Sequence, residues 1–319
     1  MYEDYNTFDT QCQAFQKTLN DLKLHKFYQT RLSEKLSKAY GIAKHWTEDK
    51  NERLRRCGDF VMIARNGGII GANFCKNRYC PICQWRTSRA MFGHMCSIVS
   101  YLDSEFPNYR YLLLTVTLVN TERLSDGLNA VMQGFNNLTH DRTWRRVVKG
   151  FLRSLEVTYN EKSLTWHPHV HCIVAVDDSY FNGNYIDHET WRGLWERAAR
   201  VSYHANVDIR AVKGDKVKAI AEVAKYAVKP CSLSLEGVDA VNAYAELIDS
   251  TYNRRLRSYG GVIRKAIKAL DIKVDSDYMD EYDKSSGSAL YMVYSSAKGC
   301  YDEMEGADKF KEFMRSEKI

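Results

Sequence analysis

The sequence predicts an α+β protein: an antiparallel sheet with helices on one face, preceded by a cysteine-bearing module. Three observations carry this. Strand-like and helix-like stretches follow the order β-α-β-β-α-β between residues 111 and 212. Four cysteines, Cys57, Cys75, Cys80 and Cys83, fall close together ahead of that series. The chain has 319 residues, 45% hydrophobic and 27% charged with only 4 Pro, so it can bury a core.

Each element has a local reason. Gln11–His45 carries apolar residues at loose helical spacing (Phe15, Leu19, Leu22, Phe27, Leu32, Leu36 and Ile42) and reads as a helical lead-in. Phe60–Ile70 reads as a short strand, a turn at Asn66-Gly67-Gly68, and a second strand. A helix is expected from Thr87 to about Leu102. Tyr111–Val119 is β-branched and aliphatic, hence a strand. Thr121–Asn137 places Leu124, Leu128, Val131, Met132 and Phe135 on a helix face. Phe151–Tyr159 and His167–Val176 alternate like two strands joined by a short loop. His188–Tyr203 is amphipathic, with Trp191, Leu194, Trp195 and Ala198 on one side. Asn206–Val212 alternates again. Asp215–Val228 is helical and stops at Pro230. This is the split βαβ order of ferredoxin-like folds. Residues 232–270 read as further helix, and the last fifty residues as an acidic, partly mobile tail.

Four domains are expected: a helical region at 1–56, a zinc-binding module and helix at 57–105, a core at 106–231, and a helical region with the acidic tail at 232–319.

The net charge of +6 is unevenly spread. Residues 271–319 hold 12 acidic and 7 basic residues, a net of −5, leaving +11 on residues 1–270. A basic body fits a phosphate-rich partner; a solvated surface with no partner is the alternative. There is no N-terminal apolar segment and no apolar run near 18 residues, so the chain is expected to be neither secreted nor membrane-spanning. Nine cysteines, an odd number, suit a reducing cytoplasm better than a secreted disulfide scaffold.

His167, His169 and His171 stand at i, i+2, i+4 of a strand. Period-2 geometry turns all three imidazoles to one face, with Val170 and Cys172 on the other. Such a row suits a divalent metal; a polar solvent face is the alternative. Glu156, the acidic residue of the preceding strand, shares that face only in a register that sets it opposite His169 or His171. Glu222 and Tyr226 are i, i+4 on a helix, with Lys225 and Lys229 beside them. A phenol near a cation can attack a phosphodiester, and a carboxylate one turn away can serve as base. Most such tyrosines are ordinary surface or packing residues.

Cys57, Cys75, Cys80 and Cys83 match four-thiolate structural zinc, with Cys96 the alternative to Cys57. The remaining cysteines read as buried small hydrophobes. Lys76, Arg78, Arg86 and Arg89, with Tyr79 and Trp85 interleaved, suit a DNA backbone and its bases. Arg254, Arg255, Arg257, Arg264 and Lys265 form a second basic cluster; both clusters also suit a solvated face.

YLLLTVTL, WHPHVHCIV and EVAKYAVK, in this order, resemble the three motifs of the HUH endonucleases. Within them the sequence is most similar to the replication initiators of small rolling-circle plasmids of Gram-positive bacteria, which CKNRYCPICQWR also resembles. The likeness runs from about Cys57 to Lys229 and loosely through Tyr259-Gly260-Gly261. It implies that His169 and His171 bind Mg²⁺ or Mn²⁺, that Tyr226 is the nucleophile, and that Lys229 is the lysine following it. Glu222 falls where other members carry a second tyrosine; His167 matches a histidine just before the pair. The implied activity is site-specific nicking and joining of single-stranded DNA at a plasmid origin hairpin, through a 5′-phosphotyrosine. A host helicase is a candidate partner, and the oligomeric state is open. The competing readings are a transposase or relaxase of the same superfamily, a non-catalytic zinc DNA-binding protein, and a metal-dependent hydrolase that uses no tyrosine.

Overall fold

The computed structural model describes residues 3–39, 41–213, 216, 238–272 and 289–304. The chain forms two compact units. The first comprises Met1–Gly41, Trp46–Thr87 and Ser276–Ile319; the second comprises Ile42–His45 and Ser88–Asp275. Both are mixed helix and antiparallel sheet.

In the first unit, helix α1 (Glu3–Ser37) and helix α2 (Glu48–Arg55) accompany strands β1 (Phe60–Ile63) and β2 (Ile69–Ala72). Thr47 caps α2 by accepting from Lys50 N. Helix α3 (Pro81–Glu105) opens here and runs into the second unit. It begins six residues earlier than Thr87, because proline suits a first helical turn, where no N–H is needed. Strands β8 (Leu290–Ser295) and β9 (Cys300–Glu303) complete a sheet of order β2-β1-β8-β9. This corrects the expected mobile tail for residues 290–303. Phe60–Ile63 pairs register by register with Val293–Leu290, and Tyr301 OH donates to Gly58 O at 2.7 Å. No local pattern announces a pairing with a strand more than two hundred residues away.

Strands β3 (Tyr109–Thr117), β4 (Val148–Asn160), β5 (Thr165–Asp177), β6 (Val207–Ala211) and β7 (Arg257–Gly260) form the sheet of the second unit. Their order is β6-β3-β5-β4-β7 and every neighbouring pair is antiparallel. Helices α4 (Leu124–His140) and α6 (His188–Ala199) fall in the chain order expected, and a short helix α5 (Arg142–Val147), which the sequence pattern does not announce, leads into β4 with Asp141 accepting from Thr143 N at its start. Residues 232–270, read as helix, instead contain helix α7 (Val238–Thr251), the strand β7 and helix α8 (Gly261–Ala269). A Cβ on Gly261 would lie 2.0 Å from the Lys149 carbonyl, and its φ is +60°, so only glycine lets α8 start this close to β4.

Both faces of this sheet carry helices, which corrects the expected one-sided arrangement. On one face α4 and α6 cover β5 and its neighbours: Phe135 packs edge-on to Phe151 and Trp195 Nε1 donates to Thr117 O at 2.9 Å. On the other, Met91, Met95, Ile98 and Leu102 of α3 and Ile263, Ala266 and Ile267 of α8 bury Leu113, Leu152 and Ile173. Residues 111–114 of β3 and 172–176 of β5, covered on both faces, are accordingly continuous apolar runs.

Candidate metal and DNA site

The sheet register decides the role of Glu156. Glu156 pairs directly with His169, and Ser154 with His171. Cross-strand partners share a face, so the carboxylate stands among the imidazoles. Glu156 Oε2 lies 2.9 Å from His169 Nε2 and 2.8 Å from His171 Nε2. All three side chains are largely buried.

Hydrogen bonds on the far side of each ring aim these nitrogens. His169 Nδ1 lies 3.2 Å from the His167 carbonyl. A carbonyl only accepts, so Nδ1 is the donor there and Nε2 is the nitrogen left facing the carboxylate. At 2.9 Å from a carboxylate oxygen, that nitrogen needs a cation or a proton between the two. His171 Nδ1 is 3.1 Å from Thr115 Oγ1, which orients the second ring. Two cis ligands of an octahedral ion at its usual bond length lie roughly 3.0 Å apart, close to both measured separations. Glu156, His169 and His171 thus fit a divalent cation by donor type and spacing.

His167, expected among the metal ligands, stands apart from this group. Its Nε2 is hydrogen-bonded to Thr117 Oγ1, and burial, then the neighbouring His169, lower its pKa below the ordinary value. Thr115 and Thr117 were the missed residues. Their signal was visible: two threonines at i, i+2 in an otherwise apolar strand, on the face that the histidines share across the pairing Thr115–His171 and Thr117–His169.

Arg257 belongs to the same face. It pairs with Ser154, which pairs with His171 in turn. Arg257 is therefore two strands from His171, roughly 10 Å between Cα atoms. Arg254 is partly buried and donates to Asn129 Oδ1 at 2.7 Å, and Arg255 is exposed. Glu222, Lys225, Tyr226 and Lys229 lie outside the described residues.

In the first unit, Cys57, Cys75, Cys80 and Cys83 converge, all buried, and Cys96 is not among them. Cys83 Sγ is 3.6 Å from Cys57 Sγ and 3.7 Å from Cys75 Sγ. Sulfurs on a tetrahedral zinc are roughly 3.8 Å apart, so the set fits that ion. Hydrogen bonds from Cys57, Cys75 and Cys80 hold the Cys83 thiol well below its ordinary pKa, and the charge of Arg86 adds to this. Burial pushes Cys80 well up. The turn is held from outside by Lys26, whose Nζ donates to the carbonyls of Arg55 at 3.0 Å and Cys57 at 2.9 Å and pairs with Asp59 at 2.6 Å.

Three residues of the expected DNA grip are corrected here. Tyr79 and Trp85 are buried, packed on Trp46 and His25, and Arg86 is buried over the Phe74 ring at 4.1 Å. Their rings and guanidinium support the cysteine turn. Lys76, Arg78 and Arg89 are exposed. Of the other cysteines, Cys172 is buried as expected, but Cys12 is exposed and Cys96 and Cys300 are half-buried. Among the described residues no helix is long and apolar enough to cross a membrane.

The chain thus carries two candidate metal sites, a two-histidine, one-carboxylate cluster on a sheet and a four-cysteine module, and comparison with known proteins places it among replication proteins. The profile of the family described as Replication protein matches residues 67–298, and the chain belongs to that family. It is 36% identical over 270 residues to "Protein rep" of Streptococcus pneumoniae serotype 2, covering 78% of this chain and 83% of that one. It is 33% identical to "Protein rep" of Bacillus amyloliquefaciens, covering 70% and 74%, and 29% identical to "Protein rep" of Staphylococcus aureus, covering 59% and 86%. The membership agrees with the motif order, which pointed to the rolling-circle initiators of Gram-positive plasmids. No solved structure gives a significant match.

Proposed function

We propose that this replication protein initiates rolling-circle replication by nicking one DNA strand with Tyr226, as an HUH endonuclease. The observation that carries the reading is the Glu156, His169 and His171 cluster on one face of the sheet. The strand order β6-β3-β5-β4, with the helical connections between β3 and β4 and between β5 and β6, is the one a ferredoxin-like core would have, and it supports this reading.

Bound by these three residues, Mg²⁺ or Mn²⁺ would polarise the scissile phosphate and neutralise charge that develops on it. The chain's own residues do the rest. Tyr226 attacks phosphorus in line, its phenolate favoured by Lys229 and Lys225. The P–O3′ bond breaks, the released 3′ oxygen takes a proton, and the 5′ phosphate stays on Tyr226. The phosphodiester energy is conserved, so no nucleotide is consumed. Arg257, on the face of the cluster, donates to the phosphate's non-bridging oxygens. Later Glu222 takes a proton from water, or from a second strand's 3′-OH, as that oxygen attacks the phosphotyrosine and frees the enzyme. His167 and Thr117 brace the histidine strand against β3. Zinc on the four cysteines is structural, and Lys76, Arg78, Arg89, Arg254 and Arg255 hold the DNA backbone.

The test incubates the full chain with a single-stranded oligonucleotide bearing the plasmid origin, with Mn²⁺ present. A protein–DNA adduct that survives a denaturing gel is expected. Tyr226→Phe abolishes it. An adduct retained in Tyr226→Phe, or cleavage with no adduct at all, overturns the tyrosine mechanism in favour of a metal-dependent hydrolase.

A further inference from the structure

The sequence marks α1 as a packing helix, yet its two faces differ sharply. Leu22, Lys26, Gln29, Ser33 and Leu36 are buried in the first unit. On the opposite face, Leu24, Phe27 and Tyr28 are exposed at 49%, 49% and 50%. Lys17, Arg31 and Lys35 continue that face at spacings of seven, three and four residues, which a helix superposes. The Arg31 guanidinium lies over the Phe27 ring, 4.6 Å from its centre, and Phe27 meets Tyr28 edge-on. Glu34, exposed one turn beyond Arg31, is the acidic residue on the stripe and Asp21 stands at its edge; with Lys17, Arg31, Lys35 and Lys38 the face keeps an excess of positive charge.

Apolar groups half exposed in a row cost solvation that a partner would recover. The charges select which partner. Two copies of this helix packed along the stripe would gather its excess of cations into one seam, a cost that a polyanionic partner does not carry. A polyanion turns the same cations into attraction. The rings add a second requirement, since aromatic and guanidinium planes stack on bases only where those bases have left the duplex stack.

We propose that this face of α1 binds unpaired DNA, its cations along the backbone and Phe27 and Tyr28 against bases. The inference rests on the reading of the chain as a DNA-nicking initiator. It adds to that reading a site on the first unit that grips the strand opened at the origin, separate from the histidine cluster.

The test measures binding of the full chain to a fluorescent single-stranded oligonucleotide lacking any nick site, and to its duplex, without added divalent ions. Phe27→Ala/Tyr28→Ala is expected to weaken single-strand binding about 10- to 100-fold and duplex binding far less. Lys17→Gln/Arg31→Gln is expected to lower the slope of log affinity against log salt by about 1.4, two charges' worth on a single strand. Circular dichroism and zinc content confirm that the variants fold. Unchanged single-strand affinity in both variants overturns the proposal. So does an equal loss on duplex in Phe27→Ala/Tyr28→Ala, or a fall in mass by light scattering with DNA binding intact, which would make the stripe a seam between copies. Adduct formation at saturating origin DNA is measured in the same variants. If it persists while binding is unaffected, this proposal fails and the nicking mechanism stands; if wild type forms no adduct, the nicking mechanism fails on its own.

Discussion

Replacing Glu156 by Gln separates two things that the carboxylate does. Without metal, its Oε2 stands 2.9 Å from His169 Nε2 in a buried position. An amide keeps the shape and can donate an N–H to that nitrogen, so Glu156→Gln is expected to leave the melting temperature of the metal-free protein unchanged or slightly higher. With metal, the cluster loses its one anionic donor and keeps two neutral imidazoles. Changing groups that merely support ligands costs about 10- to 100-fold in affinity, so losing this ligand should cost at least about 100-fold, or roughly 2.7 kcal/mol. At a Mn²⁺ concentration of about 100 times the wild-type Kd, binding stabilises the wild type by roughly 2.7 kcal/mol and the variant by roughly 0.4 kcal/mol. For a unit of this size that is a rise of about 5–11 °C against about 1–2 °C. Differential scanning calorimetry with and without Mn²⁺ reads both numbers, and a Mn²⁺ titration of adduct formation should shift by the same factor. An identical Mn²⁺ rise in wild type and Glu156→Gln would refute the assignment of the carboxylate as a ligand. A large loss of stability in the metal-free variant would show that the glutamate serves folding instead.

The remaining predictions concern the residues around the two clusters. Cys83→Ser removes a sulfur 3.6–3.7 Å from two others, so bound zinc, measured by atomic emission, should fall from one equivalent toward none. Trp46 and Trp85 of the same unit should then shift their fluorescence to the red, while the Mn²⁺ response of the histidine cluster persists. Arg257→Ala should slow adduct formation about 100-fold at saturating DNA with little change in Kd, as expected of a donor to the reacting phosphate; a loss confined to Kd would assign it to backbone grip alone. Lys26→Met leaves two carbonyls and Asp59 without their cation and should cost about 3–5 kcal/mol in urea unfolding at pH 7. Burial already raises the Asp59 carboxyl above its ordinary pKa, against the pull of Lys26. Without Lys26 the folded pKa rises further, so the native state binds more protons than the unfolded chain and stability falls as pH rises between the two values. The penalty should therefore shrink toward the acid end of that interval. A penalty independent of pH would mean that Asp59 is not the group left uncompensated.

Local chemistry alone made much of this protein legible. Period-2 spacing put His169 and His171 on one face whatever their surroundings, and the Cys80-x2-Cys83 turn with Cys75 announced a metal-sized cluster. Leu128, Val131 and Phe135 showed α4 because helical spacing is a property of the segment itself. Other features rest on pairings between distant segments. Glu156 is a ligand candidate because β4 and β5 pair in one register, and a shift of one residue would turn its side chain to the opposite face. Arg257 shares the cluster's face only because β7 adds to β4. The helices on the second face and the pairing of β8 with β1 depend likewise on partners far along the chain. Tyr79, Trp85 and Arg86 had the composition of a DNA grip, yet they support the cysteine turn. The physical reason is the same in each case. A side chain's direction follows from its own backbone, but its neighbours, its burial and the charges it meets come from segments with no sequence relation to it.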